Sequence, residues 1–284
     1  MTPLREKMIS DMQLYRLAGT TQKCYLRSVK GLAKYFNKSP DKISEEELKK
    51  YILYLANERG LKWSSINIIT AGLRFFYTKT LKRKDLALSI PIKKTPSRLP
   101  VVLSPEELVK FFASVKNQKH RVMLMTTYAG GLRISELIKL KVGDIDSKRM
   151  MIRVEKGKCS KDRYTILSPK LLSELRVYWK RYRPKYWLFP NAKTGTHLTK
   201  TSPRLAFAMG IRRSGITKKV TFHGLRHAFA THMLEAGVGI RTIQVLMGHA
   251  TINSTAAYLH IAQKKLSSSK SPLDLLYCPD PDSQ

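Results

Sequence analysis

The stretch Thr221-Phe-His223-Gly-Leu-Arg226-His227-Ala-Phe-Ala-Thr-His232-Met-Leu-Glu-Ala-Gly237 is the densest cluster of reactive side chains in the 284-residue sequence. Thr221 is a natural N-cap and Gly237 a natural C′ terminator, so one helix is expected between them. His223 and Arg226 are three residues apart, hence neighbours on one face near the helix N-terminus. That end of a helix favours anions, because free N–H groups and the helix dipole point there. A histidine, an arginine and a helix N-terminus together suit one phosphate group. Taken alone, His-x-x-Arg reads more readily as a solvated basic face.

Two metal-based readings fit the cluster poorly. His223 and His227 have the spacing of a zinc-binding His-Glu-x-x-His helix, but Gly224 stands where the glutamate is required. A two-metal nuclease needs several carboxylates, and residues 147–260 contain only Glu155, Asp162, Glu174 and Glu235. No metal or cofactor is therefore expected. Downstream, a short helix is read over Ile240–Met247, followed by Gly248-His249 and, nine residues later, Tyr258. Asn253 or Ser254 can cap a last helix with Tyr258 in its second turn. A lone tyrosine on an apolar helix is ordinarily core. A reactive one needs neighbours that ease ionisation of a phenol whose pKa is about 10.

The composition points the same way as the cluster. Fifty-three Lys+Arg against 20 Asp+Glu give a formal charge of +33, with charged residues at 26%, so the anomaly is sign and not amount. Residues 1–100 carry +13 and residues 101–284 carry +20. A polyanionic partner, with nucleic acid foremost, accounts for this. No run approaches the ~18 apolar residues that span a bilayer, and the first residues lack a secretory apolar core. With 43% hydrophobic residues, 13 Tyr, 9 Phe and 3 Trp, the chain can build a core and is not disordered. Cys24, Cys159 and Cys278 are odd in number and far apart, which suggests reduced thiols in a cytoplasmic protein.

The chain reads as mainly α with a small β-sheet, in two domains. Residues 1–90 form a helical domain. Thr20 or Thr21 caps one helix, the Ser44/Glu47 capping box opens a second that buries Leu48, Tyr51, Ile52 and Leu55, and Ser64 or Ser65 opens a third. Pro91, Pro96 and Pro100 beside Lys93, Lys94 and Arg98 mark a basic linker at 91–103. A second domain, 104–265, opens with the Ser104-Pro-Glu-Glu107 capping box. A helix over 122–128 breaks at Gly130-Gly131 and resumes through 132–140. Strands are expected at 151–154 and 164–167, with helices at 169–181 and 203–213. Residues 266–284 read as a loosely held tail.

From His223 to Tyr258 the text closely resembles the signature of the tyrosine recombinases, also called the phage integrase family: His-x-x-Arg, then Gly-His, then a tyrosine about nine residues on. Upstream, Gly131-Leu132-Arg133-Ile134-Ser135-Glu136 resembles the family's first arginine motif. Gly157-Lys158-Cys159-Ser160-Lys161-Asp162-Arg163 resembles its catalytic-lysine turn, with Cys159 in place of the usual glycine. The resemblance spans roughly residues 5–265 and is nearest the simple two-domain, Xer-like or mobile-element integrases. It implies a helical core-binding domain ahead of a catalytic domain, and site-specific cleavage and rejoining of double-stranded DNA by four protomers on two DNA segments.

The resemblance also implies roles for particular residues. Arg133 and Arg226 would clamp the phosphate, Tyr258 would attack phosphorus to give a 3′-phosphotyrosyl link, and Lys158 would protonate the leaving 5′-oxygen. His223 would take the tyrosine proton, His249 would bond a phosphate oxygen, and Glu136 would orient part of the site. Neither metal nor ATP would be needed, since the bond energy is kept in the covalent link. His227, His232 and His260 would be structural or phosphate-facing. Two other readings stand beside this one: a topoisomerase using the same residues, and a DNA-binding protein without catalysis.

Overall fold

The computed structural model describes residues 2–83, 85, 101–155, 162–249, 251–252, 255 and 258. The chain divides into two compact units, Met1–Ser97 and Arg98–Gln284. It is mainly helical with one small sheet. Among the described residues no helix is long and apolar enough to cross a membrane. Most of the proline-rich joint, residues 91–100, and the whole tail, 266–284, lie outside the described residues.

The first unit is built from α1 (Pro3–Leu14), α2 (Gly19–Phe36), α3 (Glu45–Asn57) and α4 (Trp63–Phe75), which runs on into a π-helical turn, Phe76–Thr80. Apolar residues at helical spacings of three, four or seven face inward from each: Met8 and Met12, Val29 and Leu32, Leu48 to Leu55, Ile66 and Leu73. The α3 capping box is formed, with Ser44 N donating to Glu47 Oε2 at 2.8 Å and Glu47 N to Ser44 Oγ at 3.2 Å. Two other expected starts are displaced. Ala18 and Lys62, not Thr20/Thr21 and Ser64/Ser65, hold the N-cap positions of α2 and α4, and neither makes a side-chain cap. Backbone geometry sets these starts, and the hydroxyl residues fall inside the first turn.

The second unit opens with α5 (Pro105–Ser114), whose Ser104/Glu107 capping box is also formed. There follow α6 (Gln118–Ala129), the four-residue α7 (Ile134–Leu137) and a 3₁₀ turn, Val142–Asp144. A helix through residue 140 is not found. The chain instead straightens at Leu140, whose carbonyl accepts from Leu188 N at 2.8 Å, and Lys141 bridges to Trp187. Strands β1 (Ile145–Asp146), β2 (Met151–Val154) and β3 (Arg163–Ile166) form an antiparallel sheet in that order, with Val154 paired to Arg163. Ile152 and Val154 point into the core and Met151 is exposed, the period of two expected of a half-buried strand.

Helices α8 (Pro169–Tyr182), α9 (Thr201–Ser214), α10 (Gly224–Glu235) and α11 (Ile240–Met247) follow among the described residues of this unit. The start of α10 is later than the sequence suggests. Thr221 accepts from Gly224 N at 2.8 Å through its backbone carbonyl, and His223 holds the N-cap position. Its end agrees: Gly237, at φ +90°, follows the C-cap Ala236. The last expected helix, from Asn253 or Ser254, lies mostly outside the described residues.

One glycine brings the two arginine motifs together. Gly131 has φ +57°, and a Cβ there would stand 2.5 Å from the Phe229 ring of α10. Only glycine permits both the left-handed turn and that approach. The loop carrying Arg133 therefore lies directly against the helix carrying Arg226.

Candidate active site

A single buried carboxylate organises the site. Glu136, the third residue of α7, caps its own helix by accepting from Arg133 N at 2.8 Å. The same carboxylate accepts a bidentate pair from Arg163, Nη1 to Oε1 at 2.9 Å and Nη2 to Oε2 at 2.8 Å. It also accepts from Arg133 Nη1 at 2.8 Å and lies 3.8 Å from Arg226 Nη1. Burial alone would raise its pKa. The hydrogen bonds and charge of Arg163, reinforced by Arg133, instead hold it at about 2.

The three guanidinium groups share a second set of partners. Helix α11 ends in carbonyls with no partner within the helix. Leu246 O accepts from Arg163 Nε at 2.9 Å, Met247 O from Arg226 Nη2 at 2.6 Å, and Gly248 O from Arg133 Nη2 at 3.1 Å. Cations at a helix C-terminus also answer the helix dipole. Arg226 is almost fully buried, and its other arm donates to Gly131 O. Burial and the neighbouring arginines lower its pKa to about 9, so it stays charged at neutral pH. Four stretches far apart in sequence, around residues 133, 163, 226 and 247, thus converge on one point.

Gly248 makes that convergence possible. It sits at φ +60°, and a Cβ there would stand 2.7 Å from Arg163 Cδ. Gly248→Ala is expected to cost about 1–2 kcal/mol from the left-handed backbone alone, and to push Arg163 off Glu136. A urea midpoint unchanged from the parent would contradict this.

Tyr258 is buried beside the arginines, its ring stacked at 6.4 Å on that of His249. Burial raises the phenol pKa, while the charges of Arg226 and Arg133 pull against that rise. Its hydroxyl is hydrogen-bonded to His227 Nδ1 at 2.9 Å. His223 packs edge-on against His227, ring centres 4.6 Å apart. His249 Nδ1 is paired with Thr255 Oγ1 at 2.8 Å. Burial first, and then nearby positive charge, lower all three histidines, His227 and His249 to about 4. At neutral pH they are uncharged.

Of the residues singled out from the sequence, Arg133, His223, Arg226, His249 and Tyr258 fall in one connected cluster, with Glu136 at its base. Lys158 lies outside the described residues, in the connection between β2 and β3. The tyrosine hydroxyl meets His227, whereas His223 was the expected acceptor. His232 is paired instead with Tyr128 Oη at 2.9 Å, and His260 lies outside the described residues. Sequence reasoning gave Arg163 no role. Its place as the last residue of the lysine-turn motif, opening a strand, was the available signal. Among the described residues no three His, Cys, Asp or Glu side chains gather as a metal cluster would.

Comparison with known proteins supplies the class. Residues 102–265 match the Phage integrase family, and residues 4–85 match the Phage integrase N-terminal SAM-like domain. A putative integrase/recombinase from Sinorhizobium fredii is 48% identical over 99% of this chain and 92% of its own length. Tyrosine recombinase XerA of Pyrococcus furiosus is 32% identical over 96% of both. The fold is shared with a XerH site-specific recombinase solved as a post-cleavage complex on a palindromic difH substrate. That match has a TM-score of 0.73 and 23% identity over 87% of this chain and 78% of that one. Fold and relatives together define a tyrosine recombinase, an enzyme of DNA recombination. The chain belongs to the phage integrase family.

Proposed function

We propose that the chain breaks and rejoins double-stranded DNA at specific sites through a covalent 3′-phosphotyrosyl link formed by Tyr258, with neither metal nor ATP. One observation carries this reading. The described residues hold three guanidinium groups against a single carboxylate, beside a buried tyrosine hydroxyl. Such a pocket has unbalanced positive charge to offer a phosphate whose negative charge grows as phosphorus becomes five-coordinate. Arginine suits the task because its planar fork bonds two oxygens and keeps its proton.

In this reading Arg133 and Arg226 hold the non-bridging oxygens. His223, at the start of α10, and His249 add neutral hydrogen bonds to the same phosphate. Tyr258 attacks phosphorus, the bond to the 5′-oxygen breaks, and Lys158 supplies the proton that this oxygen takes. The phosphotyrosyl link retains the energy of the broken bond, so a second 5′-hydroxyl can reverse the step.

Both units contact the duplex. In the first, a groove of about 830 Å³ is bordered by Arg5, Lys23, Arg27, Lys30 and Lys38, in keeping with the +33 charge of the whole chain and with salt-sensitive phosphate binding. The domains act as 1–90 and 104–265 joined by the basic linker 91–103, with the 266–284 tail following. Four protomers work on two DNA segments in the cytoplasm, at the nucleoid.

Denaturing the protein on sheared bacterial DNA, without ATP and in EDTA, tests the reading. DNA covalently attached through its 3′ end, with a free 5′-hydroxyl that polynucleotide kinase labels, is expected. No adduct, or adducts that vanish with EDTA, would overturn it.

A further inference from the structure

We infer that His227, immediately after the second arginine, is the group that takes the Tyr258 proton as the tyrosine attacks. The inference rests on the reading of Tyr258 as nucleophile.

Geometry separates the three nearby histidines. His227 Nδ1 is 2.9 Å from the phenolic oxygen, within direct transfer distance. His249 stacks on the tyrosine ring face and engages Thr255 through Nδ1. His223 packs against the His227 ring at 4.6 Å, whereas the ring and hydrogen-bond contacts of Tyr258 are with His227 and His249. His227 is also in the right charge state. Burial, His223 and Arg226 keep it neutral at pH 7, so Nδ1 can present a lone pair while the phenol donates.

The Tyr258 O–H bond breaks, its proton passes to His227 Nδ1, and the oxygen electron pair forms the bond to phosphorus. The 5′-oxygen departs with the electron pair of the broken P–O bond and takes a proton from the acid on its side. On rejoining, imidazolium His227 returns its proton to the tyrosine. The titratable and charged groups facing His227 set when this happens. From its own helix these are His223 and Arg226; Tyr258 comes from the C-terminal segment, with Arg133 behind it. In the DNA-free protein burial, His223 and Arg226 oppose an imidazolium, and burial opposes a phenolate. The proton therefore stays on oxygen. A bound phosphate, gaining negative charge on attack, favours the imidazolium. Substrate itself thus arms the nucleophile.

The test uses the full chain in single turnover on a nicked duplex carrying a site recovered by trapping wild-type adducts. A sulfur replaces the bridging 5′-oxygen, so departure needs no acid and pH reports only the base. Wild-type rate should be flat from about pH 6 to 9. His227→Ala should be slower by about 10²–10⁴-fold, its rate rising about tenfold per pH unit. His227→Asn, which keeps a hydrogen-bond acceptor but cannot take a proton, should show the same slope. Difluorotyrosine at position 258, a more acidic phenol, should restore much of the loss. His223→Ala, which loses a hydrogen bond to the phosphate, should be slower but should keep the flat pH dependence. A flat profile in both His227 variants, or a loss that difluorotyrosine leaves untouched, would overturn the inference. Failure of wild type to form any adduct would instead sink the nucleophile assignment.

Discussion

Tyr258→Phe is expected to leave DNA affinity unchanged and to eliminate the covalent adduct entirely. The substitution removes one oxygen from a buried ring and keeps the ring's stacking on His249. Its structural cost is the hydrogen bond to His227, about 1 kcal/mol. A phenylalanine has no electron pair with which to attack phosphorus, so the chemical loss has no partial form. Gel shift under native conditions and adduct formation under denaturing conditions separate the two properties on one DNA. Adduct persisting in the phenylalanine variant would place the nucleophile elsewhere in the chain.

The second large effect belongs to Glu136, which touches no part of the expected substrate. Glu136→Ala strips the shared counter-charge from Arg163 and Arg226, whose side chains are only 9% and 1% exposed. Removing one partner from a buried ionic cluster costs about 3–5 kcal/mol, because the remaining charges stay buried and uncompensated. The urea midpoint should fall accordingly, and strand cleavage with it.

The pH dependence has a definite sign. Glu136 has its folded pKa depressed to about 2 from an ordinary value of 4.5. Its stabilisation, on the order of 3 kcal/mol, is present in full above the ordinary value and drains away as pH falls toward 2. Between about pH 5 and pH 2, the alanine variant should therefore lose less stability than wild type. Parallel acid limbs for the two proteins would show that Glu136 is not the linked group.

Much of this site was legible because its residues are crowded in the text. His223, Arg226, His249 and Tyr258 fall within 36 positions, and Arg133 with Glu136 forms a compact second motif. Helical spacing then orients neighbours that are three and four apart. What the text does not carry is the pairing between segments. Arg163 meets Glu136 across 27 positions through sheet and helix packing, and no local periodicity encodes that. Which of His223 and His227 meets the Tyr258 hydroxyl depends on which face of α10 lies against that tyrosine, a tertiary fact. Helix starts were misplaced for a related reason. At Thr221, Thr20 and Ser64 a good capping side chain was available, but the backbone turned elsewhere. The short α7 shows the same limit, since apolar Leu132–Leu140 serves a packed turn and bridge as readily as a continuous helix.

The convergence of Arg133, Arg163 and Arg226 on the carbonyls of Leu246, Met247 and Gly248 also dictates when competence can arise during synthesis. A nascent chain that has not yet exposed residue 248 lacks the acceptors that align the three arginines, and it lacks the tyrosine that follows. Binding surface can form early, from local helices. The cutting machinery closes only over contacts that reach across more than a hundred residues, which form late in folding. Truncated or half-folded copies should accordingly grip nucleic acid without being able to break it.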